Sequence, residues 1–353
     1  GKLPAEDVQA LKDSGYLSLS VPRDYGGGGL SLRECVEAQL ELAKGSTATA
    51  LLAAMPLHIF GHAREVAPWP EEMFARLCEL AVGGALFNSA ASEPQLGSPS
   101  RGGLPQTEAK EEVGGYLISG HKTWTTGGRH LTHLLVQVRL AGEPAVMLVE
   151  NHAPGVRWVE TWGDTLSLRA SDSHDVYFEE VRVPAANLVQ RGKRASAPNA
   201  WFPMMVSAVY LGTAVAARDA VIGYALERVP TALGKPIATL PKVERQVGDI
   251  EVALAAARTL LLRAAAEWQD GQGEREVCYS RVVAAKHLAT ETAIAVTEKA
   301  LRIAGGASVS KSLPLERHFR DARAGLMHPP AGDTALELVG RHAVETFPKG
   351  DPH

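Results

Sequence analysis

The hydrophobic period of this chain changes twice, and these changes restrict its fold more than any single motif does. Up to about residue 86, apolar residues recur at helical spacing, as in the run EDVQALKDSG at residues 6–15. Between about 85 and 189 the period falls to two, in short β-rich runs such as HLLVQVRL at residues 133–140. From Trp201 onward the helical period returns. The predicted order along the chain is therefore α, then β, then α.

The last region contains three long runs of helical period, at residues 199–229, 241–271 and 274–306. They are rich in Ala and Leu and keep their charges mostly to one face, a pattern typical of an antiparallel bundle. The sequence has neither the glycine-rich strand-to-helix turn of a Rossmann fold nor a P-loop. We therefore predict an α+β multidomain protein: an N-terminal α-helical domain (1–86), a central β-barrel-like domain (87–190) and a C-terminal four-helix bundle (200–353).

Composition argues against several classes of protein. The net charge is -4 over 353 residues, so the chain lacks the basic surface of nucleic-acid-binding proteins, and no nucleic-acid partner is expected. The three cysteines are odd in number and widely spaced, which predicts neither a disulfide framework nor a metal motif and favours a reducing cytoplasm. No apolar run approaches the roughly 20 residues that span a bilayer, so no membrane association is expected.

Two histidines, His58 and His62, lie four residues apart on one predicted helical face. The zinc-protease pattern needs a glutamate directly after the first histidine, and Ile59 stands there instead. No third ligand is close by in the sequence. We therefore expect two core or pocket histidines and no metal.

Two short segments carry groups suited to a planar, polar ligand. The segment SEPQLGSPSRGG offers the hydroxyls and backbone N–H groups of Ser92, Gly97 and Ser98, although it also fits an ordinary turn-rich loop. The segment GHKTWTTGG sets Trp124 beside Thr126, which combines an aromatic face with a hydroxyl. A tryptophan in a strand is more often part of a core, so this second segment has a structural alternative as well.

Six segments, in chain order, resemble the acyl-CoA dehydrogenase superfamily over almost the whole chain. They are SVPRDYGGGGLSL, ASEPQLGSP, ISGHKTWTTGG, LSLRASDSHDVYFEEVRVP, YALERV with LGKPIA, and IAGGASVSKSLPLERHFRDAR. The fifth departs from the family pattern by two extra residues and by the lack of a phenylalanine. The resemblance implies FAD, bound between the β domain and the C-terminal bundle, with part of the site supplied by a neighbouring subunit of a homodimer or homotetramer.

The resemblance also implies roles for individual residues. Ser92 and Ser98, with Gly97 before the latter, fall where the first flavin loop touches the cofactor or the thioester arm. Trp124 and Thr126 fall where the family contacts the flavin ring. Further along, the residues implied are Arg228 at the pyrophosphate across the dimer interface, and Arg302, Gly305 and Gly306 near the adenosine half, where Arg302 replaces the usual glutamine. The Gly305–Gly306 pair also fits a simple helix C-cap.

The catalytic base of the family has no counterpart at its usual positions. Fatty acyl-CoA dehydrogenases carry a glutamate after Arg-Asp-Ala or on the first long bundle helix, and these positions are Pro329 and Phe202 here. The stretch RDARAGLMHPP, with His328, instead resembles flavin monooxygenases of the dibenzothiophene-oxidising type, without their acidic residue. A histidine suits acid–base work near neutral pH, since it ordinarily titrates at about 6.5. The alternative is that His328 only caps a helix, and Asp333 is the fallback carboxylate.

These observations predict an FAD-dependent oxidoreductase that oxidises an acyl-CoA or a similar CH–CH substrate. The missing glutamate keeps a second function open: monooxygenation by reduced flavin, with FMN as the cofactor and His328 as the acid–base group. A catalytically degenerate flavin-binding homologue is the third. The expected partner is a small-molecule substrate, such as a CoA thioester.

Overall fold

The computed structural model describes residues 2–96, 103–192, 197–271 and 274–348. The chain divides into two compact units. The first comprises Gly1–Cys35 and Ala48–Ala197, and the second comprises Val36–Thr47 and Pro198–His353. The first unit holds both N-terminal helices and strands, and the three-domain division at 1–86, 87–190 and 200–353 stays a prediction.

The N-terminal region is helical, as its period predicts. Its helices are α1 (Ala5–Asp13), α2 (Leu32–Gly45), α3 (Thr47–Val66) and α4 (Glu71–Val82). The start of α2 is a capping box, in which the Ser31 hydroxyl accepts from the Glu34 N–H at 3.2 Å and the Glu34 carboxylate accepts from the Ser31 N–H at 2.8 Å. The Ser31–Glu34 spacing in the sequence predicts this cap.

The glycine run before α2 is explained by close approach of two backbone segments. A Cβ on Gly27 would lie 2.3 Å from the Val21 carbonyl oxygen, and one on Gly28 would lie 2.9 Å from that of Leu19. The segment folds back on residues 18–21, with the Gly28 N–H donating to the Ser18 carbonyl at 3.0 Å. Only glycine leaves room for this contact.

The strands of the first unit form one mixed sheet in the described residues. They are β1 (Phe87–Ala90), β2 (Glu108–Glu112), β3 (Gly115–Thr125), β4 (His133–Leu140), β5 (Glu143–Glu150), β6 (Val156–Val159), β7 (His174–Pro184) and β8 (Leu188–Arg191). Their spatial order is β6-β7-β3-β2-β4-β5-β8, and β1 pairs in parallel with β4. Side chains from α3, α4 and the sheet share one core, in which the Phe60 and Phe87 rings meet edge to face at 5.4 Å.

The second unit is helical. It contains α5 (Trp201–Glu227), α6 (Pro241–Asp270), α7 (Arg275–Ala304), α8 (Leu315–Ala322) and α9 (Gly332–Glu345). Helix α5 packs closely on the part of α2 in this unit, since a Cβ on Gly212 would lie 2.5 Å from the Leu40 carbonyl oxygen. The expectation that no apolar run approaches membrane-spanning length is wrong for α5, which is long and apolar enough to cross a membrane. However, 67% of its most apolar window is buried inside the protein, as in a core helix.

The predicted order of N-terminal helices, central strands and C-terminal helices is confirmed. The predicted bounds of β4 and of the long helices α5, α6 and α7 agree with the structure to within two residues. Sequence analysis did not identify β1, β2, β6 and β8, which are four or five residues long. Cys35, Cys78 and Cys278 are buried.

Candidate active site

Trp124 is a solvent-facing aromatic side chain on a strained backbone. Its φ is +56°, in the left-handed region, and it lies in the irregularity of the β3–β7 pairing between Lys122 and Thr125. The residue is 64% exposed, whereas its neighbours Thr123 and Thr125 are buried. Such strain concentrates at functional sites, and an exposed indole is the reverse of core packing. The core alternative for Trp124 therefore does not apply within this unit.

The hydroxyl groups around Trp124 fall into two sets. Thr123 Oγ1 and Thr125 Oγ1 are buried with no hydrogen-bond partner among the described residues. Thr126 Oγ1 lies 2.9 Å from the Ser173 hydroxyl, and its carbonyl accepts from Asn88 Nδ2 at 2.9 Å. Buried hydroxyls are usually satisfied, so the two orphaned groups mark a place where a polar ligand atom would be stabilised.

A buried ion pair joins the two segments that sequence analysis singled out in this unit. Lys122 Nζ lies 2.7 Å from Glu93 Oε1, and both side chains are buried. The Glu93 carboxylate also accepts from the N–H groups of Gln106 at 2.7 Å and Thr107 at 3.0 Å. Burial raises the pKa of Glu93, but hydrogen bonds from Lys122 and the backbone outweigh it and hold that pKa below its usual value. Glu93 is therefore ionised and fully paired at neutral pH.

This pair fixes the start of the first segment on strand β3. The Thr123 N–H donates to the Ser92 carbonyl at 2.9 Å, one residue from each member of the ion pair. Ser92 itself is half-buried, and Gly97 and Ser98 lie outside the described residues. Sequence analysis missed Glu93 and Lys122, although each is an isolated charge among small or apolar neighbours, which is a signal for a buried pair.

In the second unit, two predicted cofactor residues line one cavity. Arg228 and Gly306 border a cavity of about 530 Å³, together with Tyr224, Ile237 and Ala307. This volume falls within the range of small-molecule sites. Gly305 has a φ of +59°, and a Cβ on either Gly305 or Gly306 would meet nothing within 4 Å, so the backbone is open to a ligand here.

Arg302 is not among the residues that border this cavity. It lies in the last turn of α7, is exposed, and pairs with Glu298 one helical turn earlier at 2.5 Å. A surface pair of this kind contributes little to stability, on the order of 0.3–0.5 kcal/mol. Its predicted role near the adenosine half stays a prediction.

His328 lies in the break between α8 and α9, against two aromatic rings of α5. Its ring centroid is 5.9 Å from that of Phe202 and 5.6 Å from that of Tyr210. The resemblance assigns the glutamate of the family to positions 202 and 329, and the packing of Phe202 on His328 brings these two positions into one neighbourhood.

The environment of His328 changes the expected ionisation. Burial, and next the positive charge of Lys286, lower the pKa of His328 to about 4. The expectation of titration near 6.5 is therefore wrong for this protein, because it assumed a solvated ring. At neutral pH the imidazole is uncharged. Asp333, by contrast, is exposed in the first turn of α9, where the positive end of the helix dipole stabilises a carboxylate.

Comparison with known proteins agrees with the fold. Family models of the acyl-CoA dehydrogenase N-terminal, middle and C-terminal domains match residues 1–74, 88–181 and 204–331. YdbM of Bacillus subtilis (strain 168), whose name places it among acyl-CoA dehydrogenases, is 37% identical over 98% of this chain and 91% of its own length. The NADH-dependent acryloyl-CoA reductase of Anaerotignum propionicum is 30% identical over 97% of this chain and 87% of its own.

Solved structures show the same architecture. Butyryl-CoA dehydrogenase of Megasphaera elsdenii superposes with a TM-score of 0.84 at 24% identity, covering 97% of this chain and 91% of its own. FMN-bound TdsC of Paenibacillus sp. A11-2 superposes with a TM-score of 0.87 at 24% identity, covering 99% and 93%. At these identities the two structures establish the fold alone. With three matching domain models and a relative 37% identical over nearly its full length, the chain belongs to the acyl-CoA dehydrogenase family, whose members are FAD-dependent oxidoreductases.

Proposed function

We propose that this protein oxidises adjacent carbons of a small-molecule CoA thioester, with His328 as the base that removes the proton. The observation that supports this role is the environment of His328. A pKa of about 4 is close to the value of about 4.3 for an unperturbed glutamate. The imidazole is therefore unprotonated and ready to accept a proton at neutral pH, as a catalytic carboxylate would be.

The residues of the first unit fit the flavin ring. When bound, FAD supplies the hydride acceptor of the reaction. Trp124 offers its exposed indole face to a planar ring, and the orphaned hydroxyls of Thr123 and Thr125 offer hydrogen bonds to polar atoms beside it. The Glu93–Lys122 pair holds the strand that carries Trp124.

The residues around the cavity of the second unit fit a phosphate-bearing ligand. Arg228 presents a guanidinium with no hydrogen bond or ion pair to other described residues, next to the open backbone of Gly306. An arginine suits bidentate contact with a pyrophosphate. We assign this contact to the FAD of a neighbouring subunit, in a homodimer or homotetramer.

A second candidate, monooxygenation by reduced flavin, is favoured by one specific observation. The two positions that hold a glutamate in relatives carry Phe202 and Pro329, so the neighbourhood of His328 lacks the usual carboxylate. A neutral imidazole still has one ring N–H, which can donate a hydrogen bond to an oxygen atom. FMN is the cofactor expected for this candidate.

Anaerobic mixing of the purified, FAD-loaded protein with a panel of acyl-CoA thioesters tests the proposal. Bleaching of the flavin band by a thioester, without oxygen, is the expected result. If no thioester bleaches the flavin but a reductase and NADH drive oxygen insertion into a substrate, the second candidate replaces it. A protein that binds flavin and turns over in neither assay is a degenerate homologue.

His328→Ala tests the role of the base, with His342→Ala on α9 as the matched control. We expect turnover per bound flavin to fall by roughly 10²–10⁴-fold in His328→Ala, the usual contribution of a positioned acid or base. Turnover should stay unchanged in the control. If His328 only stabilises the helix end, its alanine variant should instead lose about 0.5–2 kcal/mol of stability with unaltered turnover.

A further inference from the structure

We infer that Lys286 is a positioning residue for His328, acting through its hydrogen bond to the turn that carries the histidine and through its positive charge. This inference rests on the proposed role of His328 in catalysis. Its central claim concerns how His328 is held and charged, and this is measurable without turnover.

Lys286 is a buried cation held by a backbone carbonyl. It lies on α7, is 1% exposed, and donates from Nζ to the carbonyl of Gly325 at 3.1 Å. No ion pair with Lys286 is present in the described ranges. Fully buried lysines are rare unless they are paired, so an ammonium held by one backbone carbonyl needs an explanation beyond stability.

The hydrogen bond acts on a turn that has little freedom to move. A Cβ on Gly325 would lie 2.9 Å from Cδ2 of Tyr210 and 3.1 Å from Cγ2 of Thr290, so the backbone at Gly325 is pressed between α5 and α7. Lys286 ties the carbonyl of that same residue to α7. His328 follows three residues later, with its ring near that of Tyr210. The lysine therefore anchors the segment that presents the histidine.

The charge of Lys286 acts on the same histidine. Burial lowers the pKa of His328 first, and Lys286 lowers it further. Burial also brings the pKa of Lys286 to about 8, with Glu291 opposing this change. At pH 7 the lysine is therefore protonated, and its charge disfavours a second positive charge on the imidazole.

Other titratable groups near this turn come from each element packed against it. Besides Lys286 and Glu291 on α7, they are Tyr210 on α5, His318 and Asp321 on α8, Arg323 in the turn itself and Asp333 at the start of α9. His318 has a pKa lowered to about 4 by burial and next by Arg317, and burial raises the pKa of Tyr210 well above its usual value. Neither group therefore adds positive charge or titrates near pH 7. Besides burial, the charged group that acts on the pKa of His328 is Lys286.

NMR titration of histidine ring carbons, with His328 assigned by its loss in His328→Ala, tests the inference in the flavin-loaded protein. The variants are Lys286→Met, which removes charge and donor, and Lys286→Gln, which keeps a donor without charge. Lys299→Met, on the same helix but with its lysine paired to Asp249 at the surface, is the matched control. The parent and the control should show no His328 inflection above about pH 5, given a pKa of about 4.

In Lys286→Met the inflection should move above the parent value of about 4 and stay below the ordinary value of about 6.5, because burial remains. Lys286→Gln should move it in the same direction with a smaller loss of stability, and it serves alone if the methionine variant does not fold. An unchanged His328 titration in a folded, flavin-loaded Lys286 variant overturns the inference. That outcome is distinct from failure of the proposed function, which would appear as full activity of His328→Ala.

Discussion

Among the described residues, each of the two units buries one lysine completely, and the surroundings of the two charges are opposite. Lys122 is 0% exposed and meets the carboxylate of Glu93 at 2.7 Å. Lys286 is 1% exposed, and among the described residues its Nζ donates to a backbone carbonyl, at 3.1 Å, and forms no ion pair. In the first case a carboxylate in direct contact neutralises the charge, so the pair holds strand β3 in place. In the second the charge has no ion-pair partner among the described residues, is favoured by Glu291 without an ion pair, and acts on a neighbouring imidazole. The role of a buried lysine therefore depends on the group it contacts and not on its burial alone.

The largest effect expected is on stability at Lys122. Lys122→Met should reduce the free energy of unfolding by about 3–5 kcal/mol, because it leaves the Glu93 carboxylate buried and unpaired. Denaturant unfolding of the single variants and of Lys122→Met/Glu93→Gln measures this. The double variant should recover a large part of the loss, and a double variant as unstable as the single one would mean that packing, not charge, governs this site.

Lys286→Met should cost less, about 1.5–3 kcal/mol, the range for loss of a hydrogen bond to a charged group. No carboxylate is left behind in this case, and the methionine side chain fills a similar volume. Denaturant unfolding under the same conditions gives the comparison directly. If Lys286→Met lost as much unfolding free energy as Lys122→Met, the two lysines would not differ in their contribution to stability.

The free energy of unfolding should depend on pH differently in the parent and in Lys286→Met, because Lys286 titrates at different pH values in the folded and unfolded chain. Its folded pKa of about 8 lies below the unfolded value of about 10.4, so the unfolded chain binds more protons between these values. Stability linked to this group therefore rises with pH in that window, by at most about 1.4 kcal/mol per pH unit. The difference in unfolding free energy between parent and Lys286→Met, followed from pH 7 to 10, should grow accordingly. A constant difference would place the lysine pKa near its ordinary value.

The smallest effect concerns Trp124, two residues from Lys122 on strand β3. Trp124→Ala should weaken flavin binding by about 0.5–1.5 kcal/mol, the contribution of an aromatic stack. Its effect on unfolding of the flavin-free protein should be slight, because the side chain is 64% exposed. Flavin titration followed by fluorescence, beside unfolding of the apoprotein, separates the two quantities. Full affinity in this variant would show that the indole does not contact flavin.

Local patterns in the sequence predict a large part of the fold but little of the charge distribution. The long helices and β4 are readable because their periods extend over eight or more residues. Strand β2 is not, because its sequence EAKEE has no apolar alternation and its position depends on pairing with β3 and β4. The Glu93–Lys122 pair and the pKa of His328 arise from contacts between distant segments, which no local period encodes.

The packing of Phe202 against His328 puts two separate segments of the chain within reach of the same imidazole. Positions 202 and 328–329 are far apart in the sequence, yet they meet in one place. A carboxylate at position 202 would therefore lie beside His328, where its negative charge would raise the pKa of the imidazole. Phe202→Glu tests this through the titration of His328.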